Sequence, residues 1–257
     1  MRKIAIKRSD MIIIGHRGAP KEMLENTRPS FAAAKEAGAQ RIEFDVQLSK
    51  DNIPFIFHDV RLGRLARSRG FLANCNASQL KKILHINGEP ILEFAELIEE
   101  FSDDLEFNVE LKIRASADAM QIATYMKRFH FRNRVIISCF SKAPLEAFQA
   151  VYGDAEIACL FEGGLSEQAL GPWYRRRWLR RMRRLNARII HPHDSVVDAA
   201  FMKWARANNF EVYPYTSLYG IEDTNRVQLW DRLHNLKVDG LCTNYPREMC
   251  NWLQSRQ

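Results

Sequence analysis

Four short stretches of this sequence bring together residue types that do chemistry. Glu43 and Asp45 lie two apart in the run Arg41-Ile42-Glu43-Phe44-Asp45-Val46. Alternate side chains of a strand share a face, so the two carboxylates point the same way. Ile42, Phe44 and Val46 occupy the other face, which argues against a strand lying open to water. Like charges on one buried face repel and are costly to desolvate unless a cation sits between them. Glu110 and Lys112 repeat this spacing on a second apolar run. His16-Arg17-Gly18 follows the apolar Met11-Ile12-Ile13-Ile14, and His58-Asp59 closes another run.

The carboxylates Glu43, Asp45 and Glu110 offer only hard oxygen ligands. Such a set suits Mg²⁺, Ca²⁺ or Mn²⁺ rather than zinc. Arg17 and Lys112 add positive charge beside them, and cations with a hard metal describe a pocket for a phosphate oxyanion. Two histidines that titrate near neutrality, His16 and His58, can divide the proton work. One accepts a proton from the nucleophile and the other gives one to the leaving oxygen. A metal stabilises charge growing on the phosphoryl oxygens. Together these groups point to phosphodiester cleavage.

Placing them at one site requires a scaffold. Apolar, β-rich runs occur at about 11–15, 41–47, 53–57, 105–112, 135–140, 156–161, 188–191, 211–216 and 238–243. Helix-like segments lie between most of them, among them 29–37, closed by Gly38, then 91–101, 116–129, 142–152 and 197–209. Strands alternating with helices predict a parallel sheet, and about eight repeats predict an α/β fold closed as a (β/α)8 TIM-type barrel. Nine strands is one too many. The second and third are joined only by residues 48–52, too short for a parallel crossover but suited to a hairpin with Asp51-Asn52 in the turn. No repeat, low-complexity tract or linker interrupts the chain, so residues 1–257 are expected to form one domain. Active sites of such barrels sit at the C-terminal strand ends, where the residues above fall. His191 also lies there, either as a structural histidine or as part of the pocket. Tyr215 offers a wall for a substrate.

Composition permits this. With 257 residues, 46% apolar and 27% charged, the chain can bury a large core. No run reaches the roughly 20 apolar residues of a membrane span. The N-terminus, MRKIAIKRSDMIIIG, is basic and then apolar, but the apolar part is short and leads into the histidine motif, so it reads as the first strand. Five cysteines without pairing or metal-ligand spacing, and no signal peptide, predict reduced thiols in a cytoplasm. The net charge of +7 favours acidic partners.

The ordered set His16-Arg17-Gly18, Glu25-Asn26-Thr27, Glu43-Phe44-Asp45-Val46, His58-Asp59, Glu110-Leu111-Lys112 and Val238-Asp239-Gly240 to Pro246 resembles the glycerophosphodiester phosphodiesterases, a family of (β/α)8 barrels. The resemblance spreads over nearly the whole chain and looks most like the compact cytoplasmic bacterial form. It implies hydrolysis of a glycerophosphodiester to sn-glycerol 3-phosphate and an alcohol. It implies an acid/base pair in His16 and His58 and ligands for Mg²⁺ or Ca²⁺ in Glu43, Asp45 and Glu110. Arg17 and Lys112 would hold the phosphate. Glu25 either begins the following helix or supports or positions substrate.

The chain departs from the family pattern in three places. Tyr215-Thr216-Ser217-Leu218 stands where Trp-Thr-Val-Asn is usual, Thr243-Asn244-Tyr245-Pro246 where Thr-Asp-x-Pro is usual, and Ile91 where a threonine is usual. These changes touch the glycerol and leaving-group contacts rather than the proposed catalytic groups. The same residues would serve a lysophospholipase D-type enzyme acting on membrane lipid, and an inactive barrel that binds phosphate or membrane is the non-enzyme alternative. The arginine-rich segment 173–185 has Trp178, Leu179, Met182 and Leu185 at helical spacing. It reads as an outer-ring helix packing an apolar stripe on the barrel, or as a basic helix on anionic membrane. No nucleic-acid module is recognisable.

Overall fold

Backbone alternation in the apolar runs is satisfied by eight parallel strands wound into a barrel, with one antiparallel strand outside the ring. A computed structural model describes residues 11–162, 171–218 and 220–256. The basic N-terminal segment 1–10 lies outside the described residues. The strands are β1 (Ile12–His16), β2 (Arg41–Leu48), β3 (Pro54–Ile56), β4 (Glu106–Leu111), β5 (Val135–Cys139), β6 (Glu156–Phe161), β7 (Ile189–Pro192), β8 (Glu211–Val212) and β9 (Gly240–Thr243). Their order around the sheet is β8-β7-β6-β5-β4-β2-β1-β9, all neighbours parallel. Backbone bonds from Asp239 N to Val212 O (3.0 Å) and from Cys242 N to Pro214 O (2.9 Å) join β9 to the β8 segment and close the ring.

The ninth strand is the anticipated hairpin arm. β3 pairs antiparallel with β2, Val46 facing Ile56 and Leu48 facing Pro54. Asn52 takes a positive φ of 62° in the turn, a conformation asparagine tolerates better than most residues.

The helices are α1 (Arg28–Glu36), the single turn α2 (Ala77–Leu80), α3 (Phe94–Phe101), α4 (Ser116–Met126), α5 (Lys142–Val151), α6 (Gly171–Arg184), α7 (Ala199–Ala207), α8 (Ile221–Asn235) and α9 (Pro246–Gln254). Except for α2, they pack outside the ring. The main core lies between strands and helices and includes Phe31, Phe44, Phe94, Phe107, Phe148 and Trp230. A smaller cluster of Ile14, Ile136, Ala158, Ile189, Tyr213 and Cys242 fills the barrel interior.

Helix α3 starts later than its hydrophobic spacing predicts. Ile91 and Leu92 fit the helical period, but the Leu92 carbonyl accepts from Ile56 N at 2.8 Å and Glu93 bridges Phe55. The chain is therefore held extended along β3, and the helix begins only after Glu93, whose N donates to Glu96 Oε2 at 3.1 Å. Between β3 and α3, residues 59–90 form 3₁₀ turns and α2 over a third apolar cluster that includes Phe57, Leu62, Leu65, Leu72 and Leu80.

Helix α6 carries the arginines. Trp178, Met182 and Leu185 are buried, and Trp178 stacks on Phe161 with ring centroids 3.8 Å apart. The apolar stripe therefore packs on the barrel. Arg176, Arg177, Arg180 and Arg183 face outward. The side chain of Trp173 lies outside the described part. No helix among the described residues is long and apolar enough to cross a membrane.

Candidate active site

The site begins with the register of β2 and β4. Glu43 pairs with Asn108 and Asp45 with Glu110, so four polar side chains enter the barrel as two adjacent rows. One carboxylate oxygen from each of Glu43, Asp45 and Glu110 lies within 4.8 Å of the others, and all three residues are buried.

Turn chemistry at the end of β1 supplies the next groups. Arg17 adopts φ 55° and Gly18 φ 91°. A Cβ on Gly18 would meet the Ser30 backbone carbon at 2.6 Å, so only glycine fits there. This tight reversal aims the Arg17 N–H at Glu43 Oε2 (3.0 Å). It also brings the guanidinium to Asp45 Oδ2 (3.3 Å) and Glu25 Oε1 (2.8 Å). Asn26, a second non-glycine residue at positive φ (58°), donates to Asp45 Oδ2 at 2.7 Å. Sparsely populated backbone conformations are held only where the surroundings enforce them. Both of these sit against the acidic cluster.

The two histidines line the same cavity with different partners. His16 Nδ1 lies 2.8 Å from Asn244 Oδ1, and its Nε2 lies 4.0 Å from Glu43 Oε2. His58 Nδ1 lies 2.6 Å from Asp59 Oδ1. Lys112 Nζ completes the cationic side at 2.6 Å from Glu110 Oε1 and 3.6 Å from Asp45 Oδ1.

These groups share a cavity of about 290 Å³. Eight of the ten residues singled out in the sequence line it: His16, Arg17, Glu43, His58, Glu110, Lys112, His191 and Tyr215. Asp45 is fully buried behind the wall. Glu25 does not reach the cavity; it lies behind Arg17, clamped between Arg17 and Arg64. His191 Nδ1 lies 2.9 Å from the Tyr213 carbonyl, and its buried Nε2 has no hydrogen-bond partner. Tyr215 stands edge-on to Phe140, ring centroids 6.1 Å apart.

Burial raises the Glu43 carboxyl well above the usual range, with repulsion from Asp45 and Glu110 adding to it. Burial raises Glu110 as well. Asp45 moves down: burial opposes its charge, but Arg17, Lys112 and His58 more than offset this. Burial and then the Arg17 charge push His16 down to about 3, and burial lowers His58. Asp59 is lowered to about 2, chiefly by its hydrogen bond from Arg64.

The acidic cluster fits a divalent cation. Its donors are all carboxylate oxygens, and Glu43 Oε1 is buried with no hydrogen-bond partner. Such an oxygen carries a desolvation penalty that a bound cation removes.

Asn26, Arg64, Glu222 and Asn244 also support the site, though no sequence pattern gives them a role. Asn244 stands out in the sequence only as a departure from the family pattern. Arg64 lies in an irregular segment that has no periodicity to read.

A model of the glycerophosphoryl diester phosphodiesterase family matches residues 16–248. A glycerophosphodiester phosphodiesterase of Caldanaerobacter subterraneus subsp. tengcongensis is 28% identical over 251 residues, covering 93% of this chain and 96% of its own length. Among solved structures, a phosphodiesterase of Oleispira antarctica in complex with the product sn-glycerol-3-phosphate has a TM-score of 0.81 at 23% identity, over 95% of this chain and 96% of that one. A glycerophosphodiester phosphodiesterase of Thermotoga maritima has a TM-score of 0.72 at 22% identity, over 94% and 98% of the two chains. The structural likenesses establish the barrel, and the family match extends across the strand ends that build the cavity. The chain belongs to the glycerophosphoryl diester phosphodiesterase family and is an enzyme of that kind.

Proposed function

We propose that the enzyme hydrolyses small glycerophosphodiesters to sn-glycerol 3-phosphate and an alcohol, with proton transfer by His16 and His58 and a divalent cation held by Glu43, Asp45 and Glu110. Mg²⁺ or Ca²⁺ suits these oxygens best, and Mn²⁺ is compatible with them. The observation that carries the reading is the cluster of three buried carboxylates, flanked by Arg17 and Lys112 and faced by two imidazoles across one cavity. The Oleispira antarctica relative, whose complex contains sn-glycerol-3-phosphate, supports the choice of product.

When bound, the cation would stabilise negative charge developing on the phosphoryl oxygens. Arg17 and Lys112 orient the same oxygens by charge-assisted hydrogen bonds. The histidines differ in what holds Nδ1. The carboxylate beside His58 favours an imidazolium more strongly than the neutral amide beside His16 does. This favours His58 as the group that protonates the departing alcohol oxygen and His16, neutral, as the group that accepts the nucleophile's proton. The P–O bond to the alcohol breaks as a new P–O bond forms. The nucleophile is water, or the glycerol 2-hydroxyl with a cyclic phosphate that water then opens. Detecting cyclic glycerophosphate during turnover separates the two routes.

The test is release of glycerol 3-phosphate from a panel of glycerophosphodiesters, and of lysophosphatidate from long-chain lysolipids, by wild type, His16→Ala and His58→Ala, with folding checked by circular dichroism. Release from the small diesters, lost in both variants, is expected. Activity confined to long-chain lysolipids would replace this reading with a lysophospholipase D-type one.

Peripheral contact of residues 173–185 with anionic membrane is a second element of the proposal. It rests on charge from Arg176, Arg177, Arg180 and Arg183, because the apolar stripe of α6 packs on the barrel. Flotation with anionic but not neutral vesicles is expected, and equal partitioning would contradict it.

A further inference from the structure

We propose that Glu222 is a positioning residue for His16, acting through the side-chain amide of Asn244. The inference rests on the acid–base role given to His16 above.

Glu222 sits in the first turn of α8 and is fully buried. Its Oε2 accepts from Thr216 Oγ1 (2.6 Å), the Asn244 backbone N (2.9 Å) and Asn244 Nδ2 (3.0 Å). Its Oε1 accepts from Trp230 Nε1 (3.1 Å) and from Thr243 Oγ1. Five donors from four residues converge on one carboxylate. A buried charge held this way is expensive to build and strongly orders its donors. Tying α8 to the ends of β8 and β9 needs only the bonds to Thr216 and Thr243, and the bond from Trp230 lies within α8. The two bonds to Asn244 do something further.

Asn244 Nδ2 has three contacts, to Glu222 Oε2 (3.0 Å), Thr216 Oγ1 (3.1 Å) and the Ser217 carbonyl (3.0 Å). A carboxylate and a carbonyl only accept. They therefore fix the NH₂ end of the amide on their side and turn Oδ1 toward His16. Reversing the amide would set Oδ1 against the Ser217 carbonyl and the Glu222 carboxylate. With Oδ1 as its only partner, His16 Nδ1 must carry the hydrogen, which leaves the Nε2 lone pair on the Glu43 side (4.0 Å). Glu222 thus sets the tautomer of a ring it never touches. Aspartate at position 244, the residue usual in the family, would bring a second carboxylate within 3.0 Å of Glu222 Oε2, so the asparagine and the glutamate are matched.

Imidazole ¹⁵N NMR of the full chain reads the tautomer without turnover. Wild-type His16 is expected as the Nδ1–H form. In Glu222→Gln, an amide replaces the acceptor pair that holds Asn244. The Nδ1–H population should fall, and kcat should drop about 10- to 100-fold with KM changed less than about twofold. Thr216→Val loosens the same amide from its other side and should move the His16 signals in the same direction. Trp230→Phe removes only an anchor on Oε1. It should lower the melting temperature while leaving the His16 signals and kcat unchanged. Unaltered His16 resonances in both Glu222→Gln and Thr216→Val, or an equal loss of kcat in Trp230→Phe, would overturn the proposal. Wild-type turnover in His16→Ala would instead remove the underlying acid–base reading, whatever the tautomer.

Discussion

Arg64 and Glu25 meet at 2.8 Å, and through this contact two separate parts of the site become one unit. Arg64 also binds both oxygens of Asp59 (2.5 and 2.9 Å), the partner of His58, while Glu25 holds Arg17. The segment 59–90 thus links the His58 side of the cavity to the Arg17 side through a single guanidinium. Arg64 is 41% exposed, so its ion pairs add at most about 1 kcal/mol to stability. Arg64→Met should therefore change the denaturation midpoint little while lowering kcat/KM severalfold. A stability loss with unaltered kcat/KM would show that the link is only structural.

The Asp59 carboxylate should matter to rate more than to substrate affinity. Asp59→Asn keeps the shape but removes the charge beside His58. We expect kcat to fall about tenfold or more, yet less than the roughly 100-fold or larger loss expected for His58→Ala. Steady-state kinetics on the best glycerophosphodiester decides this, and a change confined to KM would assign Asp59 to substrate binding.

Much of this arrangement was legible in the sequence because it follows from strand periodicity. The two-residue spacing of Glu43 and Asp45, and of Glu110 and Lys112, put each pair on one face, and the barrel's inward face is where they lie. The short 48–52 connection implied the antiparallel arm. Helix α3 starts later than the helical period of Ile91 and Leu92 predicts, because the Leu92 carbonyl is bonded to β3 and the Ile91 N–H to Ile83. The segment 59–90 has no period, so its apolar cluster and Arg64 could not be placed. Glu222 lies 22 residues from Asn244 in sequence, and only barrel closure brings β8 and β9 together so that the two meet.

Gly18 is a stability prediction. Its φ of 91° and the 2.6 Å approach of a Cβ to Ser30 make alanine strained on two counts. Gly18→Ala should destabilise the fold by about 1–3 kcal/mol and displace the Arg17 N–H from Glu43. Urea denaturation together with activity measures both, and a neutral substitution would contradict the geometry.

His191 gives the pH dependence a sign. Burial and then the Arg41 guanidinium push its imidazole down to about 3, from 6.5. The unfolded chain then binds a proton that the folded chain refuses. Stability is full above pH 6.5 and falls as pH drops toward 3. His191→Asn removes this contribution, so the variant should lose less stability than wild type between pH 7 and about pH 4. Parallel loss in the two proteins, measured by denaturant titration, would assign the acid sensitivity elsewhere.

The central claim is that Glu43, Asp45 and Glu110 hold the cation on which hydrolysis depends. Its most direct test is glycerol 3-phosphate release by metal-stripped enzyme, with Mg²⁺, Ca²⁺ or Mn²⁺ added back, for wild type and Glu43→Ala. The account predicts activity that a chelator abolishes and a divalent cation restores in wild type, with no restoration in folded Glu43→Ala. Full activity in the presence of chelator, or equal restoration in both proteins, would contradict it.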